Sequence, residues 1–177
     1  HRDKIMPRTK SGIAIKTHNL DSHRYTRGIH LVRNPFDAIE SWWSLDVKTL
    51  GEPRLNWEEF IIQKAEFWKQ HTTHWLNTRR KTKLIKFEQL KENTHTTLKN
   101  ILEFVGHHDK IAKVDEAVRL SSLERARKDA AKQSSKEHAE AFYREGRVGA
   151  GVGKFSNGQR SRVHSLLAPY VEKLGYD

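Results

Sequence analysis

Three residues, Arg33-Asn34-Pro35, divide an apolar strand from a helix, and this junction constrains the fold more than any other part of the sequence. Before it, Gly28 to Val32 reads GIHLV, a short apolar run of the kind found in a buried strand. After it, Pro35 suits the first helical position and Asn34 the N-cap. Asp37 falls in the first turn, where a carboxylate complements exposed N–H groups. A helix is expected through about Ser44. A strand that feeds a helix across so tight a turn belongs in an α/β architecture.

The rest of the chain repeats the theme. Ile13-Ala14-Ile15, leading into Lys16-Thr17-His18, reads as an earlier strand, after a polar lead-in over residues 1–12. Trp57, Phe60, Ile61, Ala65, Trp68, Trp75 and Leu76 form one apolar stripe at helical period, capped by Asn56 and closed by Arg79-Arg80-Lys81. Lys83 to Phe87 reads as a third strand. Thr94 to Val105 reads as a helix that points Leu98, Ile101, Leu102 and Val105 inward and stops at Gly106. Two further helices are expected over 109–121 and about 122–143, the second mostly solvated. Five glycines make 146–158 a flexible loop. A last helix carries Val163, Leu166, Leu167, Tyr170, Val171 and Leu174 on one face and ends at Gly175. Strands joined by helices predict an α/β fold with a sheet that is at least partly parallel.

A chain of 177 residues suits one domain, and five Trp and seven Phe supply a core even though hydrophobic residues make up only 36%. Cysteine is absent, which excludes disulfides and thiolate metal sites. The eleven histidines are dispersed, so no metal is expected. No apolar run approaches the ~20 residues of a membrane span. The chain begins with His1 rather than Met, so any targeting or anchoring segment is expected upstream. A formal charge of +11 implies a polyanionic partner: nucleic acid, an anionic membrane, a phosphorylated cofactor or a sulfated glycan.

The junction itself supplies an anion site. Open α/β sheets bind ligands at the carboxyl ends of their strands, and a helix N-terminus there attracts phosphate. Arg33 at the strand tip can grip two phosphate oxygens, and Ser41, about two turns into the helix, can add a hydroxyl. The alternative is that Arg33 pairs with Asp37 and Ser41 is simply helical.

The segment IHLVRNPFDAIESWW resembles the 3′-phosphate-binding segment of sulfotransferases that use 3′-phosphoadenosine-5′-phosphosulfate (PAPS). Lys16-Thr17-His18 is similar to that family's Lys-Thr-His strand end. Phe87-Glu88-Gln89-Leu90 is similar to its Tyr-Glu-Asp-Leu segment. Ser121-Ser122-Leu123 resembles a Thr-Ser-Phe segment near the adenine, and Phe142 to Gly146 resembles the Arg-Lys-Gly loop. The resemblance implies a three-layer αβα fold of the P-loop nucleotide hydrolase type, with residues 1–177 as the C-terminal portion of a catalytic domain. It implies PAPS as donor and no metal. Arg33, Ser41, Phe87, Ser121, Ser122, Arg144 and Gly146 are then its cofactor-binding residues. His18 would take the proton of an acceptor hydroxyl, on a small molecule, carbohydrate or protein, and Lys16 would stabilise the transferring group. The alternative for this pair is a surface His and Lys at a strand end.

The departures are specific. The family's N-terminal strand and phosphate loop do not occur, and their place lies before His1. Tyr is replaced by Phe87, the Lys of Arg-Lys-Gly by Glu145, and Gly-Asp-Trp-Lys by Gly151-Val152-Gly153-Lys154. Weak nucleotide binding and little transfer by residues 1–177 are therefore expected. Two rivals stand beside this reading: a non-catalytic binder of nucleic acid or glycan, and an inactive homologue kept for interaction. Nucleic acid is not expected, because basic residues are interleaved with acids, as in Glu124-Arg125 and Lys136-Glu137.

Overall fold

The computed structural model describes residues 4–5, 15–16, 27–50, 55–79, 81–133, 136, 139–140, 143 and 146–176. Two strands dominate. Arg27–Val32 (β3) pairs in parallel with Lys81–Lys86 (β4), from Arg27 opposite Lys81 to Val32 opposite Lys86. Two shorter strands, Lys4–Ile5 (β1) and Ile15–Lys16 (β2), pair antiparallel in a separate sheet. Ile15–Lys16 is the described part of the first expected strand. Its partner lies in the stretch expected as a polar lead-in, and it does not join the main sheet. Two residues are too few to show an apolar period, so sequence pattern could not mark β1.

A parallel pair needs a long crossover, and two helices supply it: Pro35–Leu50 (α1) and Trp57–Asn77 (α2). α1 runs past the expected end near Ser44, because Leu45-Asp46-Val47 contains no breaker before Gly51. β3 alternates between exposed and buried, with Gly28, His30 and Val32 on the inner side. A Cβ at position 28 would stand 2.7 Å from the Trp75 ring, so glycine there lets Trp75 lie against the strand. The core joins Val32 of β3, Phe36 and Ile39 of α1, and Phe60, Ile61, Ala65 and Trp68 of α2. It is completed by Phe155 and by the last helix, Asn157–Leu174, which buries Val163, Leu167, Val171 and Leu174.

Phe87 was expected to close the strand. It opens a short helix, Phe87–Glu92 (α3), followed by Thr94–Val105 (α4). α4 stands on the opposite face of the sheet: Arg27 donates to the Phe104 carbonyl at 2.8 Å, and Lys81 and Lys83 lie over the Phe104 ring. Leu98, Ile101, Leu102 and Val105 are only half-buried. Helices α1 and α2 thus pack on the inner face of a small parallel sheet and α4 on one end of the other face, where Ile29 and Leu31 stay exposed; the α/β fold is as expected. A 3₁₀ turn over His108–Lys113 leads to Val114–Leu120 (α5) and Leu123–Gln133 (α6), and the last helix is α7. Among the described residues no helix is long and apolar enough to cross a membrane.

Candidate functional site

The register of the two parallel strands builds the site. Because Val32 and Lys86 are partners, the next residues, Arg33 and Phe87, emerge side by side. The Arg33 guanidinium lies over the Phe87 ring at 4.7 Å, a cation–π contact. One residue further on, Asn34 N–H donates to Glu88 Oε1 at 2.9 Å, and Tyr176 O–H donates to Glu88 Oε2 at 2.9 Å. Burial, then the bond to Glu88, pushes the Tyr176 hydroxyl well above its ordinary pKa, so it remains a donor. The Arg33 carbonyl accepts from the Trp68 indole at 3.0 Å. Both strand tips are therefore fixed to the core.

The first turn of α1 has few N–H groups left for an anion. Pro35 has none. Asn34 Oδ1 accepts from Phe36 at 2.9 Å and from Asp37 at 3.4 Å, and Ala38 N–H returns to the Asn34 carbonyl. The helix-terminus part of the expected anion site is corrected accordingly: Asn34 occupies the positions a phosphate would need. What remains is made of side chains. Arg33 and Ser41 line one cavity of about 240 Å³, together with His30, Trp42, Phe67 and His71.

Asp37 was expected to complement the N–H groups of its own first turn, and its actual partners lie elsewhere. Its carboxylate stands 3.8 Å from Arg33 Nη2, the pairing weighed as an alternative, but it also accepts from Gly149 N–H at 2.7 Å and from Gly151 N–H at 2.6 Å. The chain near 149–151 is therefore pinned at this end and is not simply a flexible loop. Arg33 Nη2 donates to the Arg147 carbonyl at 3.0 Å. Nothing in sequence spacing links Asp37 to amides more than a hundred residues away.

The remaining expected site residues divide. Phe87 lies under Arg33, and Gly146 adjoins Phe87: a Cβ at Gly146 would stand 3.9 Å from the Phe87 ring. Ser121 and Ser122 are exposed at the α5–α6 junction, and Ser122 lines a separate groove with Arg119, Arg125 and Lys128. His18 and Arg144 lie outside the described residues, as does the Lys16 side chain, although the Lys16 backbone belongs to β2. Among the described residues no group of three or more His, Cys, Asp or Glu is arranged to hold a metal ion.

Comparison with known proteins bears on this geometry. The sulfotransferase domain family matches residues 10–175, nearly the whole chain. The chain belongs to the sulfotransferase family. A curated relative, Sulfotransferase 2A6 of Mus musculus, is 25% identical over 133 residues, covering 66% of this sulfotransferase and 47% of the relative. The crystal structure of mouse sulfotransferase SULT7A1 complexed with PAP has a TM-score of 0.59 and 23% identity. That match covers 81% of the present chain and 57% of the mouse chain, and it shows the shared fold. This sulfotransferase chain thus spans about half the length of the relatives it matches.

Proposed function

We propose that residues 1–177 form part of a sulfotransferase catalytic domain that moves a sulfuryl group from PAPS to an acceptor hydroxyl. The observation that carries this reading is the shared cavity of Arg33 and Ser41 at the tip of β3. A guanidinium and a hydroxyl carried by two residues that border one cavity suit a dianionic 3′-phosphate. The Phe87 ring lies under the guanidinium and Gly146 beside that ring, and both are proposed as further nucleotide contacts. PAP bound to the solved mouse relative supports the same donor class. Ser121, Ser122 and Arg144 complete the proposed nucleotide contacts. His18 serves as the base toward the acceptor hydroxyl, and Lys16 stabilises charge on the group in transit.

Titration of the chain with adenosine 3′,5′-bisphosphate, followed by amide NMR shifts, tests the reading. Arg33→Ala is expected to weaken binding ~10- to 100-fold, the cost of one strong charge-assisted contact, while leaving adenosine 5′-monophosphate binding unchanged. Equal loss of both nucleotides, or of neither, contradicts the assignment. His18→Ala is expected to abolish sulfuryl transfer measured in an intact domain, and transfer near the wild-type rate removes His18 from its role.

A further inference from the structure

Asp37 has 0% exposure, yet it is a carboxylate placed beside the proposed phosphate ligand, where a negative charge by itself opposes anion binding. Its oxygens are engaged elsewhere. Each accepts one short hydrogen bond, Oδ2 from Gly149 and Oδ1 from Gly151, at the lengths of charge-assisted contacts. The Arg33–Asp37 separation of 3.8 Å is electrostatic and too long for a hydrogen bond. The backbone at 151 is pressed onto the first turn of α1: a Cβ there would stand 2.5 Å from the Phe36 carbonyl oxygen and 2.7 Å from Asp37 Cα. Gly149 adopts φ +79°, a conformation that side chains disfavour. Two residues before Gly149, the Arg147 carbonyl accepts from Arg33. One carboxylate therefore joins α1, the 147–151 segment and the guanidinium.

We propose that Asp37 is the positioning residue of this site, a buried clamp that fastens residues 147–151 to α1 and so sets the pose in which Arg33 meets the 3′-phosphate. The proposal rests on the reading of Arg33 as that phosphate's ligand. It differs in sign from a pure charge effect. If Asp37 acted only through its charge, Asp37→Asn would relieve repulsion and tighten binding of the anion. As a clamp, Asp37→Asn weakens it, because an amide offers one acceptor oxygen where two N–H groups need two, and its NH₂ faces the second donor.

The test titrates residues 1–177, and their variants, with adenosine 3′,5′-bisphosphate and separately with adenosine 5′-monophosphate, well below each variant's unfolding temperature. Asp37→Asn is expected to weaken the bisphosphate about tenfold and to leave the monophosphate within about twofold. Gly149→Ala loosens the clamp from the loop side without touching the carboxylate; its Cβ meets no atom within 4 Å, but its φ is strained. It is expected to shift the bisphosphate in the same direction, and it carries the test if Asp37→Asn does not fold. Equal or tighter bisphosphate binding by the variants, or parallel loss of both nucleotides, overturns the clamp. A wild-type chain that does not prefer the bisphosphate removes the Arg33 reading instead, and this inference with it.

Discussion

His30 is a side chain whose environment sets a measurable pH limit. It is 3% exposed on the inner side of β3, stacked on Trp75, with His71 and His74 of α2 beside it. Burial first, and these two histidines second, lower its pKa from 6.5 to about 4. The unfolded chain takes up this proton near pH 6.5 and the folded chain only near 4, so stability falls as pH drops through that interval and is unaffected above it. Melting between about pH 7 and about pH 4.5 is expected to lose roughly 2–3 kcal/mol through this residue. His30→Phe keeps a ring in the site and is expected to lose that much less, and equal acid loss in both proteins contradicts the assignment. Tyr176→Phe removes the donor to Glu88 and is expected to cost about 1 kcal/mol in denaturant unfolding. At this scale the sequence places Arg33 at a strand tip and Ser41 about two turns into the following helix, and both border one cavity. It does not disclose Asp37's or Glu88's partners, which depend on a loop and a strand register that only tertiary structure brings together.

Elements were legible where period and capping agree. Asn56 and Ser156 each complete a reciprocal capping box, with Glu59 and Gln159 respectively, and the helices they start, α2 and α7, pack on one another through the core. Asn56→Ala and Ser156→Ala are each expected to cost about 1 kcal/mol. The double variant is expected to depart from additivity, since Gln159 of the second box also donates to Glu58 in the first turn of α2 and so couples the two helix ends. The stripes of α2 and α7 carry enough large apolar residues to set period and inward face together. Phe87 shows where the pattern fails: KLIKF reads as strand to its last residue, yet the ladder stops at Lys86, where its partner β3 stops at Val32. The end of a strand is decided by its neighbour, which sequence period does not contain. The 3₁₀ turns at His108–Lys113 and Val152–Lys154 are likewise too short to leave a period.

Across the whole molecule, the formal charge of +11 is not spread as one uniform field. On α6, Lys128 lies 2.8 Å from Glu124, and Asp129 takes Lys132 at 3.0 Å and Arg125 at 3.9 Å. These exposed pairs offset part of the charge of this helix, where Arg125, Arg127, Lys128 and Lys132 stand against Glu124 and Asp129. Lys128→Glu is therefore expected to weaken adenosine 3′,5′-bisphosphate far less than Arg33→Ala does, because the exposed Lys128 is already paired with Glu124 and its charge is screened by solvent and salt. A large loss would favour the rival in which a basic surface, and not the strand-tip cavity, recognises polyanions. The fold class was legible because strands and helices alternate along the chain, and the parallel pairing of β3 with β4 through α1 and α2 follows from it. The separate β1–β2 pair was not, since two-residue strands are fixed only by what they meet.

The most direct test is a co-crystal structure of the chain with adenosine 3′,5′-bisphosphate. The expected result is a 3′-phosphate in the cavity beside β3, its oxygens about 3 Å from the Arg33 guanidinium and the Ser41 hydroxyl. A 3′-phosphate seated instead among Arg119, Arg125 and Lys128 of the α5–α6 groove, with the Arg33 cavity empty, contradicts the account.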